Sequence, residues 1–361
     1  MPNLRRCMTI ALMAPLIAAT LVLLVVSAPP AAAAAKKPYT MYLSNNFVGN
    51  DWRVLMERVA RILASEPPLA GQVDLKIVNA PQNTPIAQIQ QLNNMIATRP
   101  DAILIDASSP NALNAVIQKG CNAGILMISF DQIVTAPCAY KIDVNWDEIA
   151  HSQAQWLAEV LHGKGIVFTD QGIPGFPVSL RFIRGYEAVF SKYPGIKIAC
   201  RFTSNANLAD EQTGVSDCLA GHPDVNGIMS LGYGTGAMNA LKAIGKPPVP
   251  MTAVTYNATM LACAEGHQPC MLYSDPVYLS GEAMKLAVEI LDGKKPNKPE
   301  AIVVHSPYFY SNTSIVKVAG MSTDPIKIVA DVNAFPNLSG NIALPFSPPW
   351  AAITPEQAMG R

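Results

Sequence analysis

Excess positive charge is absent from this chain of 361 residues: 26 lysines and arginines stand against 26 aspartates and glutamates. With no basic stripe, nucleic acid is not an expected partner. No CxxC spacing occurs, which removes a zinc ribbon or a dithiol redox pair. His151, His162, His222, His267 and His305 are scattered, no two at metal-ligand spacing, so no metal site is expected. No serine or cysteine has an evident base and orienting acid, which leaves no nucleophilic triad. The only enzymatic pattern left is Asp143 and Asp170 facing Asp131 as hydrolase carboxylates, and catalysis is not expected. Past residue 35, no apolar run is long enough to cross a bilayer. Solenoid-length repeats are missing too. What remains is long enough for one large core or two lobes.

The first 35 residues read as an export signal. Arg5 and Arg6 precede an apolar run, and SAPPAAAAA closes the segment before Lys36. A retained membrane anchor is the rival reading, since the run approaches spanning length. Pro29, Pro30 and the alanine string favour cleavage after Ala35. Cys7 lies before the run, on the wrong side for a lipid-anchoring site. The other six cysteines fall into near pairs, Cys121 with Cys138, Cys200 with Cys218, and Cys263 with Cys270. An oxidising compartment allows those bonds, although proximity alone does not decide the pairing.

ILIDASSPNALNAVIQKGCNAGILMISFD, residues 103–131, reads as strand, helix, strand, ending on a carboxylate. Strands apolar on both faces and joined by a crossover helix imply a parallel sheet covered on both sides. Asp131 then stands past a strand's carboxyl end, where open α/β sheets place their ligands. Strands over 39–44 and 73–80 and helices over 52–66 and 86–97 precede this stretch. After an edge or crossing segment at 141–146 the same grammar restarts, so two α/β lobes are expected with a boundary near Tyr140. The chain then returns: a strand over 271–275, a helix over 278–293, and a closing strand pair within 301–318. The first lobe is expected to take residues 39–140 and 271–300, and the second 141–270 and 301–330. Residues 331–361 read as a surface-running tail, rich in proline and glycine.

Six phrases in order now carry a resemblance: the NNF loop after the first strand; QLNNMIATRPDAILIDASSPNALNAVIQKGCNAGILMISFD; HGKGIVFTDQGIPG; RFIRGYEAVFSKYPGIKI; GHPDVNGIMS; and SDPVYLSGEAMKLAVEILDGKKP. Over residues 39–313 the chain resembles the periplasmic sugar-binding proteins of the ribose-binding type, receptors that feed ABC importers. The resemblance implies the type I periplasmic-binding-protein fold, with two Rossmann-like lobes, three crossings, and a ligand cleft that closes by a hinge. It also implies a periplasmic monomer that binds a sugar or sugar-like molecule and docks on an inner-membrane permease, with no cofactor. A module reporting to a membrane sensor or chemoreceptor is the alternative, and a secreted carbohydrate-active enzyme the weaker one.

The family's binding residues carry over unevenly. Asn45 and Phe47 match a polar contact and an aromatic wall in the first loop, and Trp52 adds a second wall. Asp131 matches the carboxylate that takes sugar hydroxyls, Asn145 an amide, and Arg184 the arginine that reaches the ring oxygen. Gln132 replaces the usual arginine, Gly232-Tyr233 an amide-acid pair, Asn257 an aspartate, and Ser274 a glutamine. Carboxylate and guanidinium groups take vicinal hydroxyls while aromatic faces cover CH surface, which suits a polyol. GYGTGA, residues 232–237, fits a dinucleotide fingerprint only loosely and lies too late in the chain; a tight strand-to-helix turn is the expectation.

Overall fold

The computed structural model describes residues 36–294, 296, 301–303, 308–312, 327–328, 339–343 and 347–360. The export segment, the expected strand beyond Asn312 and much of the tail lie outside them. From Tyr39 the chain alternates strand and helix: β1 (Tyr39–Asn45), α1 (Asp51–Ser65), β2 (Val73–Asn79), α2 (Pro85–Ala97), β3 (Ala102–Asp106), α3 (Asn114–Asn122), β4 (Leu126–Phe130) and β5 (Tyr140–Asp143). The strands pair in parallel in the order β5-β4-β3-β1-β2. Every residue of β3 is buried, which is why Ala102 to Ile105 are all apolar and do not alternate. Helix starts are fixed locally. Asn50 accepts from the Arg53 amide to cap α1, and Thr84 caps α2 ahead of Pro85, whose missing N–H costs nothing there.

The second lobe repeats the pattern with α4 (Trp146–Val160), β6 (Lys164–Asp170), α5 (Pro177–Phe190), β7 (Gly195–Phe202), α6 (Leu208–Gly221), β8 (Gly227–Met229), α7 (Thr235–Ala243), β9 (Met251–Val254), α8 (Asn257–Ala264) and β10 (Cys270–Tyr273). Its parallel order is β10-β9-β8-β6-β7. Gly185 lets α5 approach α4: a Cβ there would stand 2.5 Å from the Asp147 carbonyl oxygen. The chain then recrosses. α9 (Leu279–Leu291) packs on α1 and the first sheet, and β11 (Ala301–Val303) pairs with β5. β12 (Tyr308–Ser311) runs antiparallel to β10, and β13 (Lys327–Ile328) pairs with β12. Sheet membership therefore places crossings between β5 and α4, between β10 and α9, and between β11 and β12.

Three strands stand in the other lobe from the one expected. β5 closes on β4 in the first sheet, β10 stays in the second, and β11 joins the first. An apolar strand shows in its sequence that both faces are covered, but which edge it pairs with is a non-local choice. The tail also departs from a merely surface-running one. Carbonyls of Ile342 and Gly340 accept the Asn257 and Ala258 amides, each at 3.0 Å, and so satisfy the orphan N-terminus of α8 on the second lobe. Further on, Trp350 and α10 (Pro355–Met359) lie on the first lobe. There the Lys285 ammonium sits 4.8 Å from the Trp350 ring centroid, and Gln357 donates to Glu66 at 3.1 Å. The tail is thus a fourth passage between lobes. Cystines join Cys121 to Cys138, Cys200 to Cys218, and Cys263 to Cys270.

Candidate functional site

The segments that follow β1, β4 and β5 in the first sheet and β6 to β10 in the second converge on one cavity of about 70 Å³ between the lobes. The lobes meet across it. The Tyr233 hydroxyl donates to Asp51 at 2.8 Å, the Val178 amide donates to Gln132 at 3.1 Å, and Phe176 meets Phe47 edge-on at 6.3 Å. Beside the cavity, Arg181 of α5 donates to Asp143 of β5.

The first lobe contributes charge. Arg53, in the first turn of α1, is 3% exposed and pairs with Asp106 at the end of β3. It also donates to Asn45 Oδ1 at 2.6 Å, and Asn45 in turn donates to Glu57 at 2.9 Å. Its guanidinium carbon lies 4.8 Å from the Phe47 ring centroid and 5.8 Å from that of Trp52. Asp131 follows β4 with φ +54°, a left-handed backbone that non-glycine residues adopt rarely and that concentrates at functional sites. Asp275 arrives from the second crossing. Neither Asp131 Oδ1 nor Asp275 Oδ1 has a hydrogen-bond partner among the described residues, although both are buried.

Burial dominates the ionisation of these acids. It pushes Asp131 well above the usual carboxylate range, with the charges of Asp106 and Asp275 adding to it and Arg53 opposing. Asp275 is pushed up to about 8 by burial, which Arg53 and the neighbouring Trp52 N–H only partly offset. Asp106 reaches about 6, since its pairing with Arg53 counters most of the desolvation.

The second lobe contributes a fixed rim and aromatic faces. Asp170 accepts the amides of Gly172, Ser204 and Leu231 at 2.8, 3.1 and 3.2 Å, and so ties three loops together. Glu211, raised to about 7 by burial, accepts the amides of Gly234 and Gly236 at 2.9 and 3.0 Å. In the GYGTGA turn, the amides a phosphate would use are therefore given to a side chain. Tyr233 stacks on Tyr256 at 4.1 Å, and Trp146 meets Tyr273 edge-on at 5.5 Å.

Of the residues expected from the sequence, Trp52, Asp131, Gln132 and Tyr233 line the cavity. Asn45 and Phe47 stand behind it, positioning Arg53. Asn145 instead caps α4, accepting the Glu148 amide. Asn257 begins α8 and donates to the Ser339 carbonyl of the tail. Ser274 is buried in the crossing, and its neighbour Asp275 is the residue that faces the cavity. Arg184 is the clearest correction. It is 65% exposed on α5 and pairs with Asp147, because Gly185 is the residue that turns toward α4. The guanidinium in the cavity is Arg53's, which the sequence reading missed along with Asp275, Phe176, Tyr256 and Tyr273. A signal for Arg53 was available: Arg53 and Glu57 are charged residues four apart among the buried positions of α1.

Comparison with known proteins agrees with this geometry. The xylitol-binding protein of Mycolicibacterium smegmatis is 24% identical over 190 residues, covering 51% of this chain and only 54% of that protein. The ribose import binding protein of Bacillus subtilis is 22% identical over 271 residues, 73% of this chain and 85% of that one. Among solved structures, an ABC transporter solute-binding protein from Thermobispora bispora superposes with TM-score 0.69 at 27% identity, covering 74% of this chain and 84% of that chain. The periplasmic binding protein domain matches residues 41–295, a stretch that runs from β1 through α9 and takes in every segment lining the cavity; the chain belongs to the periplasmic binding protein family.

Proposed function

We propose that the chain is the solute receptor of an ABC import system, exported to the periplasm and acting as a monomer. It takes a sugar or sugar-like small molecule between its lobes and presents the closed form to an inner-membrane permease. The observation that carries this reading is the cavity itself. It is enclosed by both lobes and mixes Asp131, Asp275, Arg53 and Gln132 with the faces of Trp52, Trp146 and Tyr233. Acidic and guanidinium groups hold hydroxyls while aromatic faces cover the CH surface of a polyol. The names of the xylitol-binding and ribose import binding proteins support the same ligand class. The family is one of receptors and not of enzymes. Among the described residues no helix is long and apolar enough to cross a membrane.

A thermal-shift screen of pentoses, hexoses, sugar alcohols and disaccharides tests the proposal, because a molecule that binds only the native state raises its apparent stability. A concentration-dependent rise with at least one of these is expected. Absence of any rise across the screen at millimolar concentrations counts against a carbohydrate receptor.

A further inference from the structure

The charge of the cavity is unbalanced. Among the described residues, Arg53 is the only cation that lines it, and that guanidinium is already committed to Asp106 and Asn45. The next nearest arginine, Arg181, is bound to Asp143 and Asp147. Asp131 and Asp275 are left facing the same space, with an oxygen of each lacking a partner, and Asp131 is only 4% exposed. Around them stand the rings of Trp52, Trp146, Phe176, Tyr233, Tyr256 and Tyr273. Two carboxyl groups that share one arginine already paired elsewhere, enclosed by aromatic faces, form an environment that attracts a cation twice over, by charge and by ring quadrupole.

We propose that the preferred ligand of this cleft is an amino polyol, an amino sugar or amino alditol whose ammonium is held by Asp131 and Asp275 while its hydroxyls meet Arg53 and Gln132. The inference rests on the receptor reading and narrows it. A neutral polyol meets the hydroxyl-binding groups equally well, but leaves two acids with only the already paired Arg53 as counter-charge. The groups that face these acids agree with the assignment. Asp106, Asp143 and Asp275 repel charge on Asp131, which Arg53 relieves; Asp106 repels charge on Asp275, which Arg53 and the Trp52 N–H relieve in part. Ammonium binding supplies the missing charge and lets both carboxyls ionise.

The test uses matched pairs that differ by one amino group for one hydroxyl, titrated calorimetrically into the full chain at neutral pH. Suitable pairs are 2-aminopropane-1,3-diol with glycerol, 1-amino-1-deoxyxylitol with xylitol, and glucosamine with glucose. The amino member of at least one pair is expected to bind tenfold or more tightly than its twin. Asp131→Asn and Asp275→Asn should each erase most of that preference, read as the ratio of the two affinities within a pair, and thermal melts should show both variants folded. N-acetylation of the amino member should abolish the advantage, since it removes the charge and keeps the position. A neutral twin that binds as tightly as its amino partner in every pair overturns this proposal and leaves the receptor reading standing. Silence from all six compounds, with no response in the wider carbohydrate screen, overturns both.

Discussion

At the scale of single residues, two helical arginines have opposite roles. Arg53 is buried against Asp106, whereas Arg184 stands in solvent beside Asp147. Removing one partner of a buried ion pair strands the other charge, at about 3–5 kcal/mol, while an exposed pair contributes about 0–1 kcal/mol. Arg53→Met should therefore lower unfolding free energy by several kcal/mol in urea melts, and Arg184→Met by less than about 1 kcal/mol. The cavity acids set a pH dependence as well. Their folded pKa values lie above those of the unfolded chain, about 8 for Asp275 and about 6 for Asp106, so the folded state holds protons the unfolded state has lost. Their contribution is intact below about pH 4 and falls as pH rises toward 8, by up to about 1.4 kcal/mol per unit for each group. Ligand-free protein should lose thermal stability across pH 5 to 8 more steeply than the Asp275→Asn variant, and parallel melting curves would contradict this origin. Asp131 was legible because it ends an apolar strand. Arg53 was legible only as one of two charged residues four apart on the buried side of a helix; that it faces Asp106 is decided by the strand end packed beside it.

At the scale of elements, the helix pair α4–α5 and the tail show what short sequences leave undecided. Gly185 has no room for a side chain against the Asp147 carbonyl, so Gly185→Ala must push α5 away or strain it. A cost of about 1–3 kcal/mol is expected from overpacking of this kind, measurable by urea melts. The tail has no hydrophobic period, yet it satisfies two amides at the start of α8 and buries Ala351 and Ala358 on the first lobe. Its residue 343 bridges to Tyr256, which stacks on Tyr233 at the cavity. Truncation after residue 338 should cost at least about 2 kcal/mol, at about 1 kcal/mol for each lost hydrogen bond. It should also weaken ligand binding in calorimetry, because the Tyr256 wall loses its backing. A truncated chain with unchanged stability and affinity would make the tail a passive cover.

At the scale of the whole molecule, the lobes are held shut by a few contacts. The Tyr233–Asp51 hydrogen bond joins the lobes by side chains, as does the Arg181–Asp143 pair, and a single neutral-donor bond of this kind is worth about 1 kcal/mol. That is enough to shift a two-state opening about fivefold. Tyr233→Phe should therefore increase the ligand-free radius of gyration in small-angle scattering, and saturating ligand should restore the compact value. A radius indifferent to both changes would mean that the lobes do not hinge.

The sequence by itself determined what depends on neighbours along the chain. Hydrophobic spacing set the alternation of strand and helix, caps and prolines set where helices begin, and the apolar ends of strands placed Asp131 at a carboxyl edge. Cysteines close in sequence were also close enough to bond. Only the tertiary structure decided which sheet takes β5, β10 and β11, that Arg53 and Asp275 share a cavity with Asp131, and that the tail straps both lobes. Asp131 and Asp275 lie far apart in the chain, and they meet because the carboxyl ends of β4 in one sheet and β10 in the other face the same cavity. Local patterns encode which surfaces must be buried; the partner that buries them, and so the composition of the cavity, is fixed when distant segments compete for the same surface.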